Sequence, residues 1–102
     1  QLIEDAQTLE ELGCFSTVLE KIPHKLSEEI SKKTKSPMIG IGAGNNVDGQ
    51  VLVIHDLIGL TNEFNPRFIR RYLDLNSSIK SAVSQFIKDV KSSDFPSKDE
   101  MY

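Results

Sequence analysis

Apolar residues recur at helical spacing over the first thirteen positions, where Leu2, Ala6, Leu9 and Leu12 share one stripe and Glu4, Glu10 and Glu11 fall elsewhere on the wheel. Gly13 stands where a C-terminal cap belongs. No capping residue precedes this helix, so the chain reads as beginning inside an element. "FSTVLE" (15–20) is rich in β-branched and aromatic residues and predicts a strand. "IPHKLSEEISKKT" then predicts a helix over about 23–34. Pro23 suits its first turn, Leu26 and Ile30 lie on one face, and lysines gather at its C-terminal end, where the helix dipole favours cations. Pro37 opens a second strand, "MIGIGA" (38–43).

The order helix, strand, helix, strand, with near-continuous apolar strands, predicts an α/β fold with parallel strands covered by helices. Val51–Asp56 is a third strand candidate, with a helical turn as its rival. The connection from Gly42 to Gln50 is short for a parallel crossover, which usually takes a dozen or more residues. Further on, Asn65 reads as an N-cap and Pro66 as a first helical residue. Phe68, Ile69, Tyr72, Leu73, Ile79, Ala82, Val83, Phe86, Ile87 and Val90 follow on one helical stripe. Asn76-Ser77-Ser78 divides that stripe, with Asn76 or Ser77 capping a second helix. Residues 93–102 form a polar tail anchored by Phe95.

Composition narrows the classes of function. The chain has 102 residues, 38% of them hydrophobic and 26% charged, which suits one globular domain and argues against disorder. A formal net charge of -3 argues against a nucleic-acid partner, and the cluster Arg67, Arg70, Arg71 reads as a solvated helix face. No apolar stretch approaches the ~20 residues that span a bilayer. Cys14 is the only cysteine, which excludes an intrachain disulfide and fits a reducing, cytoplasmic location.

The glycines at 40, 42 and 44 suggest a phosphate cradle, but the spacing fails. A dinucleotide fingerprint needs G-x-G-x-x-G, and the sixth residue is Asn45 counting from Gly40 or Val47 counting from Gly42. Alternate glycines instead describe a strand end with one face free of side chains, open to a ligand or a neighbouring strand. A tight strand exit needing positive φ is the plainer alternative. His55 and Asp56, adjacent on the strand candidate, would point to opposite faces, so His55 reads as structural. His24 reads as a surface residue, and the two histidines do not have metal-ligand spacing.

"VLEKIP" (18–23), "PMIGIGAGNNVDGQVLVIHDLIGL" (37–60) and "FNPRFIRRYLDL" (64–75) together resemble the ketopantoate hydroxymethyltransferase family, and the resemblance covers essentially the whole chain. That family is a (β/α)8 barrel, which needs at least ~200 residues. The resemblance therefore implies the C-terminal part of a single barrel domain, residues 1–102 supplying strand six (15–20), helix six, strand seven (38–42), strand eight (51–56) and the closing helices. It further implies a transferase that moves a one-carbon unit from 5,10-methylenetetrahydrofolate to C3 of a small 2-oxo acid, 3-methyl-2-oxobutanoate, in pantothenate biosynthesis. A magnesium ion chelated by the oxo acid would stabilise the enolate, but its aspartate ligands belong to the absent N-terminal half. The 102 residues alone would then be inactive, and the complete enzyme a homo-oligomer.

The resemblance places Glu20 at the position of the catalytic base, at the C-terminal end of a strand, where barrels carry their chemistry. The alternative for Glu20 is a solvated carboxylate paired with Lys21 or a neighbouring lysine. Gly40, Gly42, Gly44, Asn45, Asn46 and Asp48 become candidates for the rim that receives substrate or folate. Two functions of other classes compete: a free-standing α/β module that binds an anion at the glycine loop, and a non-catalytic assembly piece.

Overall fold

The computed structural model describes all residues from Gln1 to Tyr102. Its elements are α1 (Leu2–Glu11), β1 (Thr17–Glu20), α2 (His24–Lys33), β2 (Met38–Ile41), β3 (Gly49–Gln50), a single helical turn α3 (Ile54–Leu57), α4 (Leu75–Ser92) and a 3-10 turn (Lys98–Glu100). They fall into two units, one formed by Gln1–Val53 with Pro66–Ile69, the other by Ile54–Asn65 with Arg70–Tyr102.

In the first unit the three strands form one parallel sheet in the order β1-β2-β3. Its α/β character follows the sequence pattern. Thr17 pairs with Met38, Val18 with Ile39, Leu19 with Gly40 and Glu20 with Ile41. Because side chains alternate along a strand, that register separates two faces. Leu19 and Met38 are buried with Ala6 of α1, Ile30 of α2 and Ala43 in one cluster, and Ile3, Ile22, Leu26 and Val47 pack around it. Val18 and Glu20 are exposed on the other face, with Ile39 and Ile41 half-buried beside them. Burial of Ile30, Met38 and Leu19 contributes roughly 1.5–3 kcal/mol each and fixes which face meets the helices.

Side chains tie the helices to the sheet. A Glu10 carboxylate oxygen accepts from the backbone N–H groups of Lys35 and Ser36, at 2.7 and 2.5 Å, and so anchors α1 to the turn before β2. Gly13 takes φ +93 just after α1, the left-handed conformation that its missing Cβ permits.

The third strand departs from the sequence reading. It occupies Gly49–Gln50 rather than 51–56, and Ile54–Leu57 is helical, so the helical-turn alternative holds for the second half of that segment. The short connection still delivers a parallel strand, because only two residues need to pair: Ile39 with Gly49 and Gly40 with Gln50. Gly42 (φ +65) and Gly44 (φ +86) supply the reversals, and the Gln50 side-chain amide donates to the Gly44 carbonyl at 2.7 Å.

The stretch before α4 holds the other correction. Residues 65–74 form no regular helix, and α4 begins at Leu75. Its cap is Asp74, not Asn76 or Ser77: the Asp74 carboxylate accepts from the Ser77 N–H at 3.1 Å and from the Ser77 hydroxyl at 2.7 Å. Upstream, the Arg71 guanidinium donates to the carbonyls of Thr61 and Phe64 and to the Asn65 side chain, satisfying a loop in place of a helical ladder. Ile79, Val83, Phe86, Ile87 and Val90 stay half-exposed along α4. Phe95 packs edge-on against Phe86 with ring centroids 5.3 Å apart, tying the polar end of the chain back to the helix.

Candidate functional site

β1 and β2 run in parallel and both end on the same side of the sheet, at Glu20 and Ile41. The chain turns sharply after Glu20. Lys21 adopts φ +52, uncommon for a residue with a side chain, while its N–H still donates to the Ile41 carbonyl at 2.9 Å. The turn sends the Lys21 ammonium over the Phe68 ring, 5.7 Å from its centroid, within cation–π range.

Beyond these strand ends, inside the first unit, lies a cleft of about 710 Å³. Lys21, Ile22, His24, Gly42, Arg67 and Phe68 are among its walls, which contain no carboxylate. Pro23 caps α2 without a side-chain acceptor, so the positive end of that helix dipole is open here.

The glycine loop shapes this wall from behind. A β-carbon at Gly42 would come within 3.0 Å of the Phe68 ring, and one at Gly44 would overlap the His24 side chain. At Gly40 the corresponding space is filled by Val47, 3.0 Å away, and by the Gln50 amide. The three alternate glycines thus admit side chains of this same chain, and only Gly42 faces the cleft.

The sequence-derived candidates separate accordingly. Glu20 is exposed on the sheet face opposite the helices and adjoins the cleft through Lys21 without lining it. The side-chain ion pairs are Lys32–Glu28 and Lys33–Glu29, and Glu20 is in neither, so its lysine-paired alternative is not the geometry found. Asn45 is exposed, and the Asn46 amide donates to Glu28 at 3.1 Å. The Glu28 carboxyl is held below its ordinary value, chiefly by the hydrogen bond from Lys32 and then by that from Asn46. Asp48 lies at the opposite end of β2, where its carboxylate accepts from the Met38 N–H at 2.8 Å and from the Ser31 hydroxyl at 3.3 Å. That position makes it a strand-start brace rather than a rim residue.

His55 belongs to the helical turn and is exposed, so the opposite-face argument for a strand no longer applies to it. No group of three His, Cys, Asp or Glu side chains stands close enough to hold a metal ion. His24 and Arg67 are exposed, as the sequence reading has them, though Arg67 is not on a helix; that they line one cleft with Lys21 and Phe68 was invisible in the sequence. The one available signal was a lysine directly after a strand end and before a proline-capped helix.

Comparison with known proteins adds the lineage. A family profile described as ketopantoate hydroxymethyltransferase matches residues 1–98. Proteins named 3-methyl-2-oxobutanoate hydroxymethyltransferase are similar along all 102 residues: that of Flavobacterium johnsoniae is 58% identical, that of Chlorobaculum tepidum 58% and that of Porphyromonas gingivalis 56%. The chain spans 38% of the length of the first of these and 37% of the other two.

Proposed function

The chain belongs to the ketopantoate hydroxymethyltransferase family, and on that premise we propose that it supplies the base-bearing part of an enzyme that hydroxymethylates 3-methyl-2-oxobutanoate. In this reading residues 1–102 are the late part of one (β/α)8 barrel domain, with β1, β2 and β3 as strands six, seven and eight. The uncovered sheet face with Val18, Glu20, Ile39 and Ile41 is then the barrel interior, and Glu20 stands at the strand end where barrels carry their chemistry. That position, with the exposed carboxylate beside the mouth of a cleft, is the single observation that carries the reading.

The reaction asks for a carbon acid to be deprotonated next to a ketone. Glu20 takes the proton from C3 of the 2-oxo acid, and the resulting enolate carbon attacks the methylene carbon of 5,10-methylenetetrahydrofolate. One C–N bond of the donor breaks in that attack, and water displaces the second folate nitrogen, its oxygen completing the hydroxymethyl group. The two freed nitrogens take one proton from Glu20 and one from the water, giving ketopantoate and tetrahydrofolate. A carboxylate positioned as general base contributes typically 10²–10⁴-fold.

The magnesium ion that the family resemblance implies finds no ligand set among these residues. The 102 residues alone are accordingly proposed to be inactive. The complete enzyme is proposed to be a homo-oligomer, as the family resemblance implies; the stripe Ile79, Val83, Phe86, Ile87 and Val90 of α4 is half-exposed in these 102 residues. No helix is long and apolar enough to cross a membrane.

The test is ketopantoate formation by the full-length polypeptide, wild type against Glu20→Gln. The reading expects product from the first and a kcat at least ~100-fold lower from the second. Equal turnover would remove Glu20 from the chemistry.

A further inference from the structure

Building on the transferase reading, the geometry points to the Lys21–Arg67–Phe68 cleft as the subsite for the anionic aryl-glutamate tail of the folate co-substrate. Size comes first. Pockets of 300–1,000 Å³ take ligands of drug size, and the cleft measures about 710 Å³. A five-carbon oxo acid would leave most of that space empty, whereas the one-carbon donor is long, with a fused ring, a benzoyl ring and a glutamate carrying two carboxylates.

Charge gives the orientation. Lys21 and Arg67 put two basic side chains in the walls, and no carboxylate opposes them. The uncapped N-terminus of α2 opens on the same space and adds a positive dipole end. A dicarboxylate fits that field. The guanidinium of Arg67 is the better carboxylate partner, since its planar fork can donate two hydrogen bonds at once.

Shape supplies the ring contact. Phe68 presents an aromatic surface whose place is kept by Gly42, since any β-carbon there would press into the ring at 3.0 Å. One face of Phe68 already carries the Lys21 ammonium. The part of the half-buried ring that lines the cleft offers the offset or edge-on packing that a benzoyl ring prefers. With Glu20 just outside the cleft, a tail seated here leaves the donor's reactive methylene free to extend toward the strand ends.

The experiment compares two donors in the full-length enzyme: 5,10-methylenetetrahydrofolate, and the 5,10-methylene derivative of tetrahydropteroate, which lacks the glutamate. Arg67→Gln should raise KM for the glutamyl donor about tenfold, the scale of a lost charged hydrogen bond. It should leave KM for the pteroate donor and for the 2-oxo acid unchanged, and Arg67→Lys should recover only part of the loss, since an ammonium restores the charge without the paired hydrogen bonds. An equal rise for both donors, or no rise for either, overturns the assignment. Should the full-length protein form no ketopantoate at all, the transferase reading fails, and the cleft is tested by titrating p-aminobenzoylglutamate directly. Binding weakened at least fivefold by Arg67→Gln supports it, and absence of binding to the wild type overturns it.

Discussion

Gly44 stands against His24 so closely that a β-carbon on the glycine would overlap the first side-chain carbon of the histidine. The glycine also holds φ +86, and its carbonyl accepts the Gln50 amide. One residue therefore links the exit of β2, the start of α2 and the entry of β3.

Gly44→Ala should destabilise the protein by about 2 kcal/mol or more, combining the roughly 1–2 kcal/mol cost of left-handed backbone with displacement of His24. Urea denaturation measures it, with the midpoint falling and the slope unchanged. A midpoint equal to wild type would show that the His24 contact is absent in solution.

Asp74 and Ser77 make a prediction for pH. The Asp74 carboxyl is held below its ordinary 3.8, first by the Ser77 hydroxyl and then by the Ser77 backbone N–H. A carboxylate with its folded-state value depressed stabilises fully above the unfolded value, and that contribution is lost as pH falls from about 4 through the lower folded value. Protection of the Ser77 and Ser78 amides, referred to the intrinsic exchange rate at each pH, should therefore fall across that acid window in the wild type. In Asp74→Ala it should be low already at neutral pH. Protection indifferent to both changes would contradict the cap.

The uncovered sheet face tests the barrel reading. Leu19→Ala removes a buried side chain and should cost ~2–5 kcal/mol. Val18, its neighbour, is 59% exposed in these 102 residues. In the full-length protein, a barrel interior would bury it, so Val18→Ala should cost roughly 1.5–2.5 kcal/mol there, from two lost methyl groups and the cavity they leave. A cost under about 0.5 kcal/mol would mean that this face meets solvent.

What the sequence disclosed depended on the length over which its pattern ran. Leu2 to Leu12 and Leu26 with Ile30 repeat within single elements, so α1 and α2 fall within two residues of their expected ranges. Thr17–Glu20 lies inside the strand read from its β-branched and aromatic composition, and Met38–Ile41 inside the apolar run that Pro37 opens. The segment 51–56 misled because a short apolar run carries no period of its own, and only two residues upstream of it pair with β2. Residues 65–75 misled for another reason. Phe68 and Tyr72 have helical spacing, but Phe68 is placed against Gly42 and Arg71 satisfies loop carbonyls instead, so tertiary contacts override the local pattern.

The site was legible only through resemblance. Glu20 has no local signature beyond its place at a strand end. The cleft walls come from three separate stretches, 21–24, Gly42 and 66–68, and no periodicity along the chain announces such a convergence.

The most direct measurement is proton exchange at C3 of 3-methyl-2-oxobutanoate in deuterated water, followed by NMR in the full-length enzyme without any folate. It isolates deprotonation from transfer of the one-carbon unit. Wild type should exchange the C3 proton catalytically, and Glu20→Gln should exchange it at least ~100-fold more slowly while still binding the oxo acid. Exchange at the wild-type rate in Glu20→Gln would contradict the central claim that this carboxylate takes the proton.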